Sequence, residues 1–251
     1  MLKSIKDLAR TGKPVLGTWI SIADASVIEM AKWAGFDYIR IDNEYIPFSP
    51  AKIAELIRTA NLLEMPVHVR ISRMEDIVSL ISYGADGIIV PDCNTVSRVK
   101  EAIDRVKFYP IGNRGVNPGC RAAYLAGCPG KEYLRKANDL VSLTIQIEDV
   151  KAADIIDEIA SLEGIDMISS GRNDISQSFG CPGETTHPRT LEFERLIIEK
   201  TLEYHKIPVI LVNTYEEMAA MMEKGVTVFT IGNDEAILRA GMKNHLKRFQ
   251  L

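Results

Sequence analysis

Short apolar runs alternate along the chain with stretches of helical period, and the alternation repeats about eight times. The runs predict strands over 15–20, 38–42, 67–71, 87–91, 143–148, 167–170, 209–213 and 226–231. Between them, Ile53, Ile57 and Ala60, then Ile77, Leu80 and Ile81, then Val99, Ile103 and Val106 recur at the spacing of one helix face. Ser49-Pro50 reads as a capping serine before a proline at the first helical position, and Thr214 ahead of Glu217 reads as a capping box. Glycines at 35, 84 and 164 each follow a helical pattern and precede a strand, which is the position of a left-handed helix cap.

Strands alternating with helices imply parallel βαβ units. Eight units favour a closed barrel over an open doubly wound sheet, and no G-x-G-x-x-G turn argues for the open sheet. The fold class expected is α/β, a single (β/α)8 TIM barrel spanning residues 1–251, a length usual for that fold. One long interruption, 107–130, is rich in Pro, Gly and Arg. Loops of that length are commonly functional, so this loop or a neighbouring subunit is expected to close the site.

Composition narrows the partners. Charged residues make up 25% of the chain and apolar residues 46%, as in a globular protein with a full core. A net charge of −4 gives no electrostatic drive toward nucleic acid or anionic membrane, so neither is expected as a partner. There is no apolar run near the ~20 residues that span a bilayer, and no uninterrupted apolar segment at the N-terminus reads as a signal peptide. Four scattered cysteines form no C-x-x-C pair. They read as reduced thiols, so a cytoplasmic location is expected.

Strand period then sorts the polar residues. Ile39 and Ile41 share one face of their strand and Arg40 and Asp42 the other; Val67 and Val69 oppose His68 and Arg70; Leu143, Ile145 and Ile147 oppose Thr144, Gln146 and Glu148. The apolar faces must meet the helix ring, so the polar rows point into the barrel, where unpaired charge is costly. The last inward residues lie at the C-terminal mouth, where barrel enzymes place their chemistry. That row is Asp42, Arg70 and Glu148, joined by Asp174 just beyond the sixth strand. Asp42 with Arg70 reads equally well as an ion pair that staples the barrel. Glu148 and Asp174 at adjacent strand ends repel unless protonated or bridged by a cation, and hard oxygen donors suit Mg2+, Mn2+ or a similar ion.

At these residues the chain resembles the HpcH/HpaI family of metal-dependent pyruvate aldolases. The resemblance rests on Gly17-Thr18-Trp19, Ala34-Gly35-Phe36-Asp37, Asp42-Asn43-Glu44-Tyr45, Pro66 to Arg70, Gly84 to Pro91, Asn113-Arg114-Gly115-Val116, Gln146-Ile147-Glu148, Gly171-Arg172-Asn173-Asp174 and Ile231-Gly232-Asn233-Asp234. It implies a barrel that assembles as a homo-oligomer, a hexamer or trimer. It also implies reversible cleavage of a 4-hydroxy-2-oxo acid to pyruvate and an aldehyde, with Mg2+, Mn2+ or Co2+ as cofactor. By resemblance, Glu148 and Asp174 are the metal ligands, Arg70 meets the keto oxygen, Gln146 is a nearby contact, and the Asn173 and Asp174 amides receive the carboxylate.

One departure from the family pattern Asp-Gly-Glu-His matters. In Asp42-Asn43-Glu44-Tyr45, Tyr45 stands where the family has histidine, and tyrosine with its ordinary pKa near 10 is a poor base. Either His68, inward on the third strand, substitutes as the proton-transfer group, or it is a core histidine held by a neighbour. Oxaloacetate decarboxylation, which uses the same enolate without an aldehyde-side base, and non-catalytic binding of a 2-oxo acid are the alternatives. Arg114, Arg121 and Arg172 are candidates for an anionic acceptor or for subunit contacts.

Overall fold

The computed structural model describes residues 4–249. Strands β1 (Val15–Ile20), β2 (Tyr38–Asp42), β3 (Val67–Arg70), β4 (Gly87–Val90), β5 (Ser142–Ile147), β6 (Met167–Ser170), β7 (Ile207–Leu211) and β8 (Val228–Asn233) follow one another in sequence order around a closed barrel. All neighbours pair in parallel, and β8 returns to β1 with Val228 opposite Val15. β3 and β4 end one residue earlier than the sequence predicts and β5 lies one residue earlier, while β7 and β8 are shifted by two. β7 begins earlier, with Pro208 inside it, and β8 runs on to Asn233 because β1 continues to pair with it past a bulge between Gly17 and Trp19.

Parallel strands need crossovers, and helices supply them. The helices are α1 (Ile5–Ala9), α2 (Ala25–Ala34), α3 (Pro50–Leu62), α4 (Ile77–Tyr83), α5 (Val96–Val106), α6 (Arg121–Leu125), α7 (Lys131–Leu140), α8 (Ile156–Ser161), α9 (Arg172–Ser178), α10 (Pro188–Glu203), α11 (Tyr215–Met222) and α12 (Asp234–Leu246). Ser49 caps α3 ahead of Pro50, and Gly35 and Gly84 end α2 and α4 at φ 98° and 104°. Gly164 is also left-handed but lies beyond the end of α8, in the turn leading to β6. At α11 the expected box is shifted: Thr214 accepts from the Glu217 amide, whereas the Glu217 carboxylate accepts from the amide of Asn213, one residue before the cap.

The outward strand residues Ile39, Ile41, Val67, Val69, Ile88, Leu143 and Ile145 are all buried against Ile53, Leu56, Ile57, Leu80 and Ile103 of the helix ring. That leaves the polar rows inside, as period 2 requires. The barrel floor is apolar: Val15, Tyr38, Met167, Val209 and Val228 pack with Ile5 and Ala9 of α1, which plugs the N-terminal end. Above the floor lie Arg40, His68, Thr144, Ser169 and Thr230, all buried.

Two glycines make room for this interior. A Cβ at Gly17 would fall 2.3 Å from the Tyr38 ring, and one at Gly87 would fall 2.4 Å from His68 Nε2. Gly87→Ala is therefore expected to destabilise the fold by about 1–3 kcal/mol through overpacking. Adding His68→Ala should recover most of that loss in denaturant titrations. Additive losses in the double variant would mean that the imidazole is not what the methyl meets.

The long interruption does not lie over the mouth, contrary to expectation. It follows α5, which runs back to the N-terminal end of the strands, so 107–141 packs against the underside of the barrel. There Arg121 donates to the Tyr83 carbonyl (2.9 Å) and to the Asn61 side chain, at the ends of α4 and α3. Lys107 is buried and donates to the carbonyls of Asn138 and Val141 and to Asp166, each within 2.8 Å. Arg114 lies over the Phe108 ring at 3.7 Å and donates to the Tyr133 hydroxyl, in a small satellite core that also contains Cys120 and Cys128. Within this chain, Arg114 and Arg121 are therefore bracing residues of the underside. No helix among the described residues is long and apolar enough to cross a membrane.

Candidate active site

The C-terminal mouth holds a cavity of about 460 Å³ whose lining includes Asp42, Tyr45, Arg70, Gln146, Asn173 and Asp174. Its centre is Arg70. The register sets Arg70 of β3 opposite Asp42 of β2, and the guanidinium grips that carboxylate with two donors, Nε to Oδ1 at 3.1 Å and Nη2 to Oδ2 at 2.7 Å. Its third nitrogen lies 3.1 Å from Glu44. The Trp19 ring packs against the same guanidinium at 4.5 Å and the Tyr45 ring at 4.9 Å. Asp42 is held in turn by the amides of Glu44 and Tyr45, so the turn after β2 wraps onto its own carboxylate. A fork fixed on three sides is preorganised, which is what an electrostatic catalyst needs.

Glu148 follows β5 and is buried beside this cavity. Oε1 accepts from the Asp92 amide and Oε2 from Gln146 Nε2, both at 2.7 Å. Burial pushes its carboxyl up to about 7; the Asp92 hydrogen bond opposes this, and the charges of Asp174, Glu44 and Asp92 add to it. Glu44 is raised as well, chiefly by burial and against the pull of Arg70. This side of the mouth is thus crowded with acid. Among the described residues, no three His, Cys, Asp or Glu side chains gather as a ready-made metal cage. The Glu148–Asp174 pair nevertheless fits a divalent ion of open coordination. Its donors are hard oxygens, each Glu148 oxygen keeps a lone pair beyond its one hydrogen bond, and a cation would relieve the repulsion.

The turn that carries Asn173 and Asp174 is clamped. Arg172 Nε donates to Glu194 of α10 at 2.8 Å, its Nη1 lies 2.6 Å from Glu217 of α11, and Ser170 donates to the other Glu194 oxygen at 2.6 Å. Arg172, a candidate for anion recognition, is therefore already paired twice inside the chain. The first-turn amides of α9 have no intrahelical acceptor and lie at the cavity wall. Gly171 is required here: a Cβ would fall 2.5 Å from Glu148 Oε2 and 2.8 Å from Gln146 Nε2. Gly171→Ala should displace the Glu148 carboxylate and weaken Mn2+ binding by about 10-fold or more, with the change read by calorimetry.

Two candidates behave differently from the rest. Tyr45 is 64% exposed at the rim, and its phenol is pushed up to about 12, chiefly by partial desolvation and then by the acids Glu44, Asp174 and Glu148. His68 lies one layer below Arg70, fully buried, and does not line the cavity. Burial pushes its imidazole down to about 3, the Arg40 charge adds to this, and its Nε2 has no partner. Alternation on β2 marks Arg40 as inward from the sequence but gives it no role, and the sequence pattern assigns none to Trp19, Glu44, Asp92 or Gly171. The same alternation on β1 is the signal that would mark Trp19 as inward.

A closed (β/α)8 barrel with acids and arginines converging on its C-terminal mouth has the architecture of a barrel enzyme. The profile described as HpcH/HpaI aldolase/citrate lyase matches residues 16–240, and the chain belongs to that family of enzymes, a lyase class. It is 29% identical to a hydroxypyruvate/pyruvate aldolase of Sagittula stellata over 93% of this chain and 92% of that protein. It is 28% identical to a 4-hydroxy-2-oxo-heptane-1,7-dioate aldolase of Escherichia coli, over 99% and 95% of the two chains. Among solved structures it is similar to the citrate synthase SbnG, with a TM-score of 0.90 and 29% identity over 98% and 97%.

Proposed function

We propose that the protein is a divalent-cation-dependent carbon–carbon lyase that reversibly cleaves a 4-hydroxy-2-oxo acid to pyruvate and an aldehyde. The observation that carries this is the convergence of Arg70, gripped by Asp42, and Asp174 on one cavity, with the buried acid Glu148 held just beside it by Gln146 of the cavity wall. Glu148 and Asp174 would hold the ion, which when bound supplies a Lewis acid for the keto and carboxylate oxygens of pyruvate. Arg70 donates to the keto oxygen and stabilises the charge that develops there as the carbon–carbon bond breaks. Asp42 and Trp19 keep the guanidinium fixed as that charge develops. The Asn173 and Asp174 amides receive the carboxylate at the start of α9, and Gln146 keeps Glu148 oriented.

The proton-transfer half is unusual. A phenol near 12 is a poor base at neutral pH, and a buried imidazole near 3 stays neutral beneath the site. Tyr45→Phe is therefore expected to leave exchange of pyruvate methyl protons within about 3-fold of wild type; a loss of 100-fold would make the phenol a base after all. The same observation favours a second reading, decarboxylation of oxaloacetate, which reaches the enolate without removing a methyl proton. Rates of oxaloacetate decarboxylation and of aldol cleavage on one Mn2+-loaded preparation separate the two. Aldol turnover across a panel of aldehydes supports the first, and decarboxylation with no aldol product supports the second.

A homo-oligomer, hexamer or trimer, is part of this reading. Support comes from α12, which leaves Ile237, Leu238, Met242 and Leu246 exposed, an apolar stripe more usual at a subunit contact than in water.

A further inference from the structure

Among the described residues, Arg40 is a buried cation of the barrel interior that forms no ion pair with an acid. Its inward position on β2 puts it one layer below Asp42, where it forms part of the wall of the mouth cavity. Nη1 donates to Thr230 Oγ1 at 3.2 Å, the guanidinium lies 4.4 Å over the Trp19 ring, and Nη2 has no hydrogen-bond partner. The other cations lining the cavity are differently placed: Arg70 is paired with Asp42 and Glu44, and Arg172 with Glu194 and Glu217. Arg40 makes no ion pair among the described residues. Around it are Trp19 of β1, Tyr38 of β2, a neutral His68 and a positive Arg70 of β3, and Thr230 of β8. Asp42, the nearest acid on its own strand, has both oxygens on Arg70.

A buried guanidinium without a counter-ion is costly to the fold. Its cost is recovered when an anion enters the cavity beside it. We propose that Arg40 determines specificity by receiving a second carboxylate of the substrate, so that the enzyme prefers a dianionic 2-oxo acid over a monoanionic one. This rests on the 2-oxo acid reading above and adds to it the far end of the substrate. The 2-oxo acid end engages Arg70 and the Glu148–Asp174 side, and the distal carboxylate reaches Arg40 toward the β1, β2 and β8 wall.

The test is calorimetric binding of pyruvate, oxaloacetate, 2-oxoglutarate and 2-oxoadipate to Mn2+-loaded wild type and Arg40→Gln. In wild type, at least one dianion should bind more tightly than pyruvate. In Arg40→Gln the ratio of dianion to pyruvate affinity should fall by about 30-fold or more, the effect of removing one partner from a buried charge pair. If pyruvate binds wild type but no dianion is preferred, or if the ratio is unchanged in the variant, Arg40 has no such role. If pyruvate itself fails to bind wild type, the 2-oxo acid reading fails and takes this one with it. Thermal unfolding of Arg40→Met is the control for a structural role. Removing an unpaired buried charge should leave the midpoint at or above that of wild type, and a lowered midpoint would identify Arg40 as a structural residue and overturn the proposal.

Discussion

Glu148→Gln is expected to lower exchange of pyruvate methyl protons by about 10²–10³-fold, the scale of losing one preorganised electrostatic partner at a reacting centre. The substitution keeps the size and removes the charge. It also leaves one oxygen to face two donors, the Asp92 amide and Gln146 Nε2, where the carboxylate offers one oxygen to each. Asp174→Asn should act in the same direction, and both should weaken Mn2+ binding measured in the absence of substrate. The pH dependence follows from the raised carboxyl near 7. The folded, metal-free protein holds this proton more tightly than the unfolded chain. The group's contribution to stability is therefore present below the ordinary range for Glu and is lost as pH rises through about 7. The same proton competes with the cation, so Mn2+ affinity of wild type should fall as pH drops below about 7. Glu148→Gln should show neither trend. An unchanged exchange rate in Glu148→Gln would remove Glu148 from the chemistry.

Arg70→Gln carries the second large effect, on activity and fold together. It removes the donor to the keto oxygen and strands Asp42 and Glu44 at the mouth, with Asp42 buried. Breaking a buried pair from one side costs about 3–5 kcal/mol, so the denaturation midpoint should drop clearly. Adding Asp42→Asn should restore much of the stability by removing the stranded charge, while aldol turnover stays about 10²-fold or more below wild type. Recovery of turnover along with stability would mean that the arginine only staples the barrel.

Much of this arrangement is legible in the alternation of side chains. Ile39 and Ile41 against Arg40 and Asp42, and Val67 and Val69 against His68 and Arg70, state which face of each strand meets the helices. Eight such strands leave a closed barrel as the economical solution. Depth is less legible. His68 and Arg70 have the same parity on β3, but only Arg70 reaches the cavity, because Gly87 on the next strand leaves a hole that the imidazole fills one layer down. The glycine and the histidine make sense together only once the register of β3 against β4 is known.

The interruption at 107–130 misled for a related reason. Its length and its arginines suggest a lid, but which end of the barrel a loop occupies depends on whether it precedes or follows its helix. This one follows α5, so Arg121 meets the ends of α3 and α4 and Arg114 lies over Phe108. The clamp of Arg172 on Glu194 and Glu217 joins elements far apart in the chain, and no local pattern marks it. Tyr45 is conspicuous from the sequence alone, and partial desolvation, reinforced by the acids Glu44, Asp174 and Glu148, pushes its phenol further from a base against the opposing pull of Arg70.

Proton exchange at the methyl group of pyruvate in D2O, followed by NMR with Mn2+-loaded enzyme removed before detection and with enzyme stripped by EDTA, tests the central reading most directly. Exchange that depends on the cation and is restored on adding it back is the expected result. Exchange by the stripped enzyme at the rate of the loaded one would contradict it.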